Sequence, residues 1–154
     1  MVQKKESKKV KEVKKEIPKT GLKKTVKNVV VNYPVGDFLI RIKNAALAGR
    51  YEIVIKRTRL VEDVAKVLKS GGFVTSIENK DDELTITLSK FSKSPMLLGL
   101  KLISRPGLRK YYNVDRLMKL RGPEVYILST PKGVMSSREA KKKVVGGEVI
   151  AKIW

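Results

Sequence analysis

The spacing of apolar residues along the chain predicts two helices near the start of its globular part. A first helix is expected to end at Gly49 and to bury one apolar face, formed by Phe38, Leu39, Ile42, Ala45 and Ala46. A second helix is expected to begin after Thr58, a favourable N-cap residue, and to end at Gly71-Gly72. Its buried stripe consists of Val61, Val64, Ala65 and Leu68. Both helices therefore present one apolar face to a core.

Three strands are predicted around these helices. They cover residues 51–56, 73–78 and 84–88, with apolar and polar residues alternating in the last of them. An acidic turn at Lys80-Asp81-Asp82-Glu83 joins the second strand to the third. Residues 32–92 are therefore predicted to form an N-terminal α-β-α-β-β domain, followed by a linker around Ser92-Lys93-Ser94-Pro95.

The second half of the chain, residues 96–154, is predicted to be a β-rich C-terminal domain with a short helix. Strands are expected at 100–104 and from Glu148 to Trp154, and a further helix, capped by Asp115, is expected to run to Leu120. The expected fold class is α+β, with two small α/β domains preceded by a basic disordered tail.

A polar segment follows the apolar run at 125–128. Ser129-Thr130-Pro131-Lys132-Gly133 is predicted to be a loop, and Ser136 with Glu139 fits the capping box of a helix running from Ala140 to about Val145 and stopping at Gly146-Gly147. Hydroxyl groups, a lysine and unpaired amides beside a helix start suit an anion or the edge of a nucleotide. An ordinary strand-to-helix turn with a good cap explains the same residues.

The composition favours a nucleic-acid partner. The 154 residues include 35 Lys and Arg against 15 Asp and Glu, a net charge of +20, with no Cys and no His. An excess of this size favours polyanions through phosphate neutralisation, whereas the lack of Cys and His disfavours most enzyme classes and metal sites. No cofactor is predicted. The chain has no apolar stretch of the ~20 residues that span a bilayer and no apolar signal segment, so a cytoplasmic protein without membrane contact is expected.

The charge is unevenly distributed along the chain. Residues 1–31 contain 11 Lys and 3 Glu and are predicted to be a disordered extension, either a solvated segment or an arm that contacts RNA. Residues 99–154 carry 13 basic and 4 acidic residues, whereas residues 37–98 carry 11 and 8. The C-terminal half is therefore predicted to face the polyanion.

The turn at Pro106-Gly107 is a second candidate contact with RNA. Arg105 and Arg109 flank it and Tyr111 follows, which provides cations for phosphates and a ring for a sugar or base. Tyr111 or its neighbour Tyr112 as a core aromatic is an equally good interpretation.

Four phrases occur together in the chain: the helix sequence at 37–45, Ser-Arg-Pro-Gly-Leu-Arg at 104–109, Ser-Thr-Pro-Lys-Gly-Val-Met at 129–135 and Gly-Gly-Glu-Val at 146–149. In this order they resemble the family of bacterial small-subunit ribosomal protein number eight, over about residues 33–154. The resemblance implies a non-enzymatic, structural constituent of the small ribosomal subunit. It also implies an early binder of the central domain of small-subunit ribosomal RNA, which recognises an irregular internal loop in an RNA helix and helps subunit assembly.

The resemblance also implies the residues that bind RNA. They are Ser129, Thr130, Lys132, Gly133 and Ser136 in the serine/threonine loop, Glu148 as support for that loop or acceptor from a base amine, and Arg105, Arg109 and Tyr111 around the Pro-Gly turn. The chain departs from the family where Pro131 replaces a second serine and in its extension, residues 1–31. Further implied partners are neighbouring small-subunit proteins, including number five, and the messenger RNA of its own operon, which some relatives repress.

Two other functions stay open from the residues alone. A phosphate-handling enzyme would use the segment from Thr130 to Ser136, although no Gly-x-x-x-x-Gly-Lys-Ser/Thr motif is present. A protein that coats RNA or DNA through charge alone would bind without preference for structure.

Overall fold

The computed structural model describes residues 33–91, 94–95, 97 and 99–154. Its elements are α1 (Pro34–Leu47), β1 (Glu52–Lys56), α2 (Arg59–Ser70), β2 (Val74–Lys80), β3 (Glu83–Leu88), β4 (Lys90–Phe91), β5 (Ser94–Pro95), β6 (Leu100–Leu102), β7 (Tyr111–Tyr112), α3 (Val114–Lys119), β8 (Val125–Thr130), β9 (Gly133–Ser136), α4 (Ser137–Lys142) and β10 (Gly147–Ile153). The predicted α+β class is confirmed. The predicted extension, residues 1–31, lies outside the described residues, as do Ser92 and Lys93 of the predicted linker.

The two helices predicted for the N-terminal half are confirmed. All five residues of the predicted apolar face of α1 are buried, and so is the stripe of α2. Thr58 caps α2, because its hydroxyl oxygen accepts a hydrogen bond from the Val61 amide at 3.3 Å. Both helices pack against the antiparallel sheet β1-β3-β2, which contributes Ile55, Leu84 and Ile86 to the same core.

A second sheet is organised around β10, which pairs antiparallel with β6, β7 and β8, while β9 pairs with β8. One face of this sheet adds Ile127, Ala151 and Ile153 to the core that contains α1 and α2. The other face carries Leu128 and Val149, which pack in a smaller core against α3 and α4. The sheet therefore lies between two apolar cores.

The prediction of a loop after residue 128 is wrong in one respect. β8 continues through Ser129 to Thr130, turns at Pro131-Lys132 and returns as β9, so a hairpin stands where the sequence predicted a loop that leads to a helix. The backbone groups on both sides of the turn pair with each other, which satisfies them without help from a ligand.

Two helix ends differ from the prediction. Asn113, and not Asp115, caps α3: its side-chain oxygen accepts from the Arg116 amide at 3.0 Å, which leaves Asp115 in the first turn. The last helix occupies residues 137–142 and ends before Val145, because Val144 takes a left-handed φ of 52° that an α-helix does not continue through.

Candidate nucleic-acid interface

The turn of the β8–β9 hairpin contains three of the predicted RNA-binding residues. Thr130 pairs with Gly133 across the turn; its hydroxyl donates to the Gly133 carbonyl at 2.8 Å and accepts from the Lys132 amide at 3.2 Å. Pro131 suits the first corner position, and Gly133 has a φ of 103° that favours glycine. The Thr130 hydroxyl therefore shapes the turn, and Lys132 is exposed at its tip.

Three predicted residues from separate strands form one row across the sheet. Glu148 of β10 lies opposite Ser129 on one side and opposite Tyr111 on the other. Side chains directly opposite each other in antiparallel strands share a face, with Cβ atoms about 4.5–5.5 Å apart. Tyr111 is 66% exposed, and within the described part of the chain the Ser129 hydroxyl has no hydrogen-bond partner. We call these three residues the Ser129 row.

Glu148 is engaged by an arginine in the folded chain. One of its carboxylate oxygens accepts from the Arg109 guanidinium at 2.8 Å, and that guanidinium lies 5.3 Å from the centre of the Tyr33 ring. Burial raises the pKa of Tyr33, and the positive charge of Arg109, which lowers that pKa, offsets the rise only in part. The phenol therefore stays neutral at physiological pH. Because a carboxylate has two oxygens, Glu148 can hold Arg109 and still accept from a second donor.

The Pro-Gly turn is present as predicted. The Arg105 amide donates to the Leu108 carbonyl at 3.1 Å and the Leu108 amide donates to the Arg105 carbonyl at 3.0 Å, while Gly107 has a φ of 81° as in a type II turn. The base of the segment is held by Ser104, a fully buried residue whose hydroxyl oxygen accepts from the Lys110 amide at 3.0 Å. This segment therefore presents Arg105 from a fixed loop.

Ser136 lies apart from the Ser129 row. It faces Ile127 on the paired strand, and its hydroxyl oxygen accepts from the Glu139 amide at 3.3 Å, which is the first half of the predicted capping box. The ambiguity between the two tyrosines is also resolved. Tyr112 packs partly buried against the smaller core, whereas Tyr111 is exposed.

Sequence reasoning missed the close approach of strands at Gly147. A Cβ added there would lie 2.2 Å from the Ser129 carbonyl oxygen, and one added at Gly146 would lie 2.6 Å from the Tyr112 carbonyl oxygen. The sequence explained these glycines only as a helix stop. A glycine pair at the start of a strand is a signal of close backbone contact that points to this second role.

Neither a metal site nor a membrane span is found in the part of the chain that the structure describes. It contains no group of three or more Asp and Glu placed to hold a metal ion. None of its helices has the length and apolar character needed to cross a membrane.

The structure defines a basic α+β protein with a surface built from strand ends and tight turns, and comparison with known proteins identifies its family. The sequence model for ribosomal protein S8 matches residues 33–154, so the chain belongs to the ribosomal protein S8 family. It is 39% identical over 132 residues to the small ribosomal subunit protein uS8 of Ligilactobacillus salivarius. The matched region covers 82% of this chain and 100% of that protein. The uS8 protein of Hydrogenovibrio crunogenus is 42% identical over 125 residues, with 78% and 95% covered.

Proposed function

We propose that this chain binds the central domain of small-subunit ribosomal RNA early in assembly, and that it recognises an irregular internal loop in an RNA helix. Family membership makes it a structural, non-enzymatic protein of the small ribosomal subunit. The observation that carries the finer proposal is the Ser129 row, in which a hydroxyl, a carboxylate and an exposed ring come together beside the hairpin turn.

This surface suits irregular RNA better than regular RNA. An A-form helix hides its base edges in a deep, narrow groove, so a protein reads internal loops, sugars and backbone shape through short polar groups. Ser129 can donate and accept with a base or a 2′-hydroxyl, and the ring of Tyr111 can stack on an unpaired base. The row therefore supplies selectivity.

Cations around the row supply affinity. Arg109 is oriented by Glu148, while Lys132 and Arg105 are exposed on the two turns. Contacts from such side chains to phosphates position an RNA without reading its sequence. Thr130 and Gly133 act by shaping the hairpin turn, and Ser136 acts by capping α4.

Binding to two short hairpins of equal length tests the proposal. One carries the central-domain internal loop and the other is fully paired. We expect a preference for the first that survives rising salt, and a loss of about 1–3 kcal/mol in Ser129→Ala, because a buried polar contact is left unmade. Thr75→Ala, which removes an exposed hydroxyl from β2, is the matched control and should bind as the unchanged chain does.

Two outcomes would contradict the proposal. Equal affinity for both hairpins, lost in parallel as salt rises, would leave charge as the sole basis of binding. Unchanged affinity in Ser129→Ala would remove the row from the interface.

The family resemblance extends the proposal to location and to further partners. We place the protein in cytoplasmic ribosomes, next to small-subunit protein number five, and we include the messenger RNA of its own operon as a second RNA target. A messenger RNA segment that competes with the internal-loop hairpin for the same site would support this target. Failure to compete at any concentration would remove it.

A further inference from the structure

The face of the β6-β10-β8 sheet that is opposite to the Ser129 row carries an open groove. Lys152 of β10 lies opposite Lys101 of β6 on one side and opposite Tyr126 of β8 on the other. Side chains alternate between the two faces of a strand, so Tyr126 and Ser129 point to opposite sides of β8. The groove has a volume of about 440 Å³ and is bordered by the loop from Arg105 to Lys110.

Aromatic rings line or border this face. The rings of Tyr112 and Tyr126 are 6.2 Å apart and tilted by 47°. Trp154 follows Lys152 on the same side of the chain; the Lys152 ammonium lies 5.2 Å from its ring, which is part of a side chain that is 41% exposed. The Tyr126 hydroxyl donates to Glu124 at 2.9 Å, which fixes the orientation of its ring. Three aromatic rings therefore lie close to the cationic side chains on this face of the sheet.

The groove is strongly basic. Four cationic side chains line it, Lys101, Arg105, Lys110 and Lys152, and no acidic side chain does. Glu124 lies at its edge and forms an ion pair with Lys152. The other three cations form no ion pair with any described residue. Because like charges directly opposite each other in a sheet are destabilising, the Lys101–Lys152 pair favours an anionic occupant.

We propose that this groove binds an unpaired stretch of RNA, with a base stacked on the Tyr126 ring and phosphates held by Lys101 and Lys110. A basic groove lined by accessible aromatic surface is the arrangement by which proteins hold single strands, since every base has a face that can stack, and the half-buried Tyr126 ring offers such a surface here. An acidic peptide would satisfy the lysines but would leave the rings without flat partners. The inference rests on the proposed function, because it adds a second RNA contact to a ribosomal protein.

The probe is a single strand of six uridines, titrated into the full-length chain. Trp154 is the single tryptophan of the sequence, and its ring lies 5.2 Å from the ammonium of Lys152, which lines the groove, so we expect its fluorescence to change when the groove is occupied. We expect saturable quenching. The double variant Lys101→Gln, Lys110→Gln should bind at least about fivefold more weakly and with a lower slope of affinity against salt, by about 1 to 2. The charge-matched control, Lys69→Gln with Lys80→Gln on the N-terminal half, should bind as the unchanged chain does.

Substitution of Tyr126 separates stacking from charge. Tyr126→Phe keeps the ring and should keep the affinity, whereas Tyr126→Leu should lose at least about fivefold, the lower end of what one stacked base contributes. Thermal unfolding of each variant shows whether the fold is kept. The exposed lysine variants give the answer even if Tyr126→Leu unfolds.

The internal-loop hairpin, measured in parallel, keeps this proposal separable from the previous one. Because the two surfaces face opposite ways, the six-uridine strand should still bind when the hairpin is saturating, and the lysine double variant should keep its preference for the internal loop. If the unchanged chain shows no preference for the internal-loop hairpin but still binds the six-uridine strand, the proposed function is refuted and the groove proposal is kept. Equal binding of the single strand to the double variant and its control, or an equally sensitive response to hexaglutamate, would overturn the groove as an RNA site.

Discussion

Gly147→Ala should destabilise the protein and disturb the candidate RNA surface together. An added Cβ would lie 2.2 Å from the Ser129 carbonyl oxygen and 3.0 Å from Cγ2 of Thr130. β10 and β8 must then separate by about 1 Å to reach an ordinary contact distance. Such overpacking costs about 1–3 kcal/mol, and a weakened strand hydrogen bond adds about 1 kcal/mol. We therefore expect a loss of about 3 kcal/mol out of the ~5–15 kcal/mol that typically stabilises a domain.

Urea denaturation of the variant, together with binding to the two hairpins, measures both effects. Gly49→Ala is the matched control: Gly49 has a φ of 65° and nothing within 4 Å of an added Cβ, so its cost is that of the backbone conformation, about 1–2 kcal/mol. Gly49→Ala should keep the preference for the internal loop, whereas Gly147→Ala should reduce it. Destabilisation by Gly147→Ala no larger than that of the control, with the preference kept, would refute the steric argument.

Two further predictions concern ionisable groups. Burial and the hydrogen bond to Glu124 raise the pKa of Tyr126 from 10.0 to about 12, so between these pH values the unfolded chain loses a proton that the native chain keeps. The free energy of unfolding should therefore fall as pH rises through this window. Tyr126→Phe should remove the part of this fall that Tyr126 causes. Urea denaturation of both chains at several alkaline pH values checks this, and identical curves would contradict it. Arg109→Gln should cost about 0–1 kcal/mol in stability, since the Arg109 side chain is 43% exposed and water screens its ion pair with Glu148, and should lower the salt slope of hairpin binding by about 1. A salt titration beside Arg121→Gln, another exposed arginine, checks this, and equal slopes in the two variants would exclude Arg109 from the interface.

The helices α1 and α2 could be predicted from the sequence because their burial follows a local period. A residue such as Phe38 or Leu68 is buried because of its place in a repeat of 3.6 residues, and the cap at Thr58 depends on neighbours within one turn. The hairpin strand β9 was missed because it has four residues, too few to show an alternating pattern before Ser136 starts the next helix.

The candidate residues of the two turns could be predicted from local sequence, because hydroxyl groups, a lysine and arginines beside tight turns suit a nucleic acid. The role of Glu148 could be predicted only through the family resemblance, and the geometry of the site could not be predicted. The Ser129 row depends on the register of β10 between β7 and β8, and a shift of one residue would turn Glu148 to the other face. The contact between Arg109 and Tyr33 joins residues that are far apart in the chain, at 5.3 Å. Local patterns of apolar residues contain no information on such pairs.

Because β10 lies near the end of the described chain, the second sheet can assemble only after almost all of the described residues have been synthesised. β10 follows every other described element, yet β6, β7 and β8 all pair with it. A nascent chain that stops short of Gly147 has already made Ser129 and Tyr111, but it lacks the strand that brings them into one row. Incomplete translation products therefore cannot display the Ser129 row, the surface proposed to bind RNA.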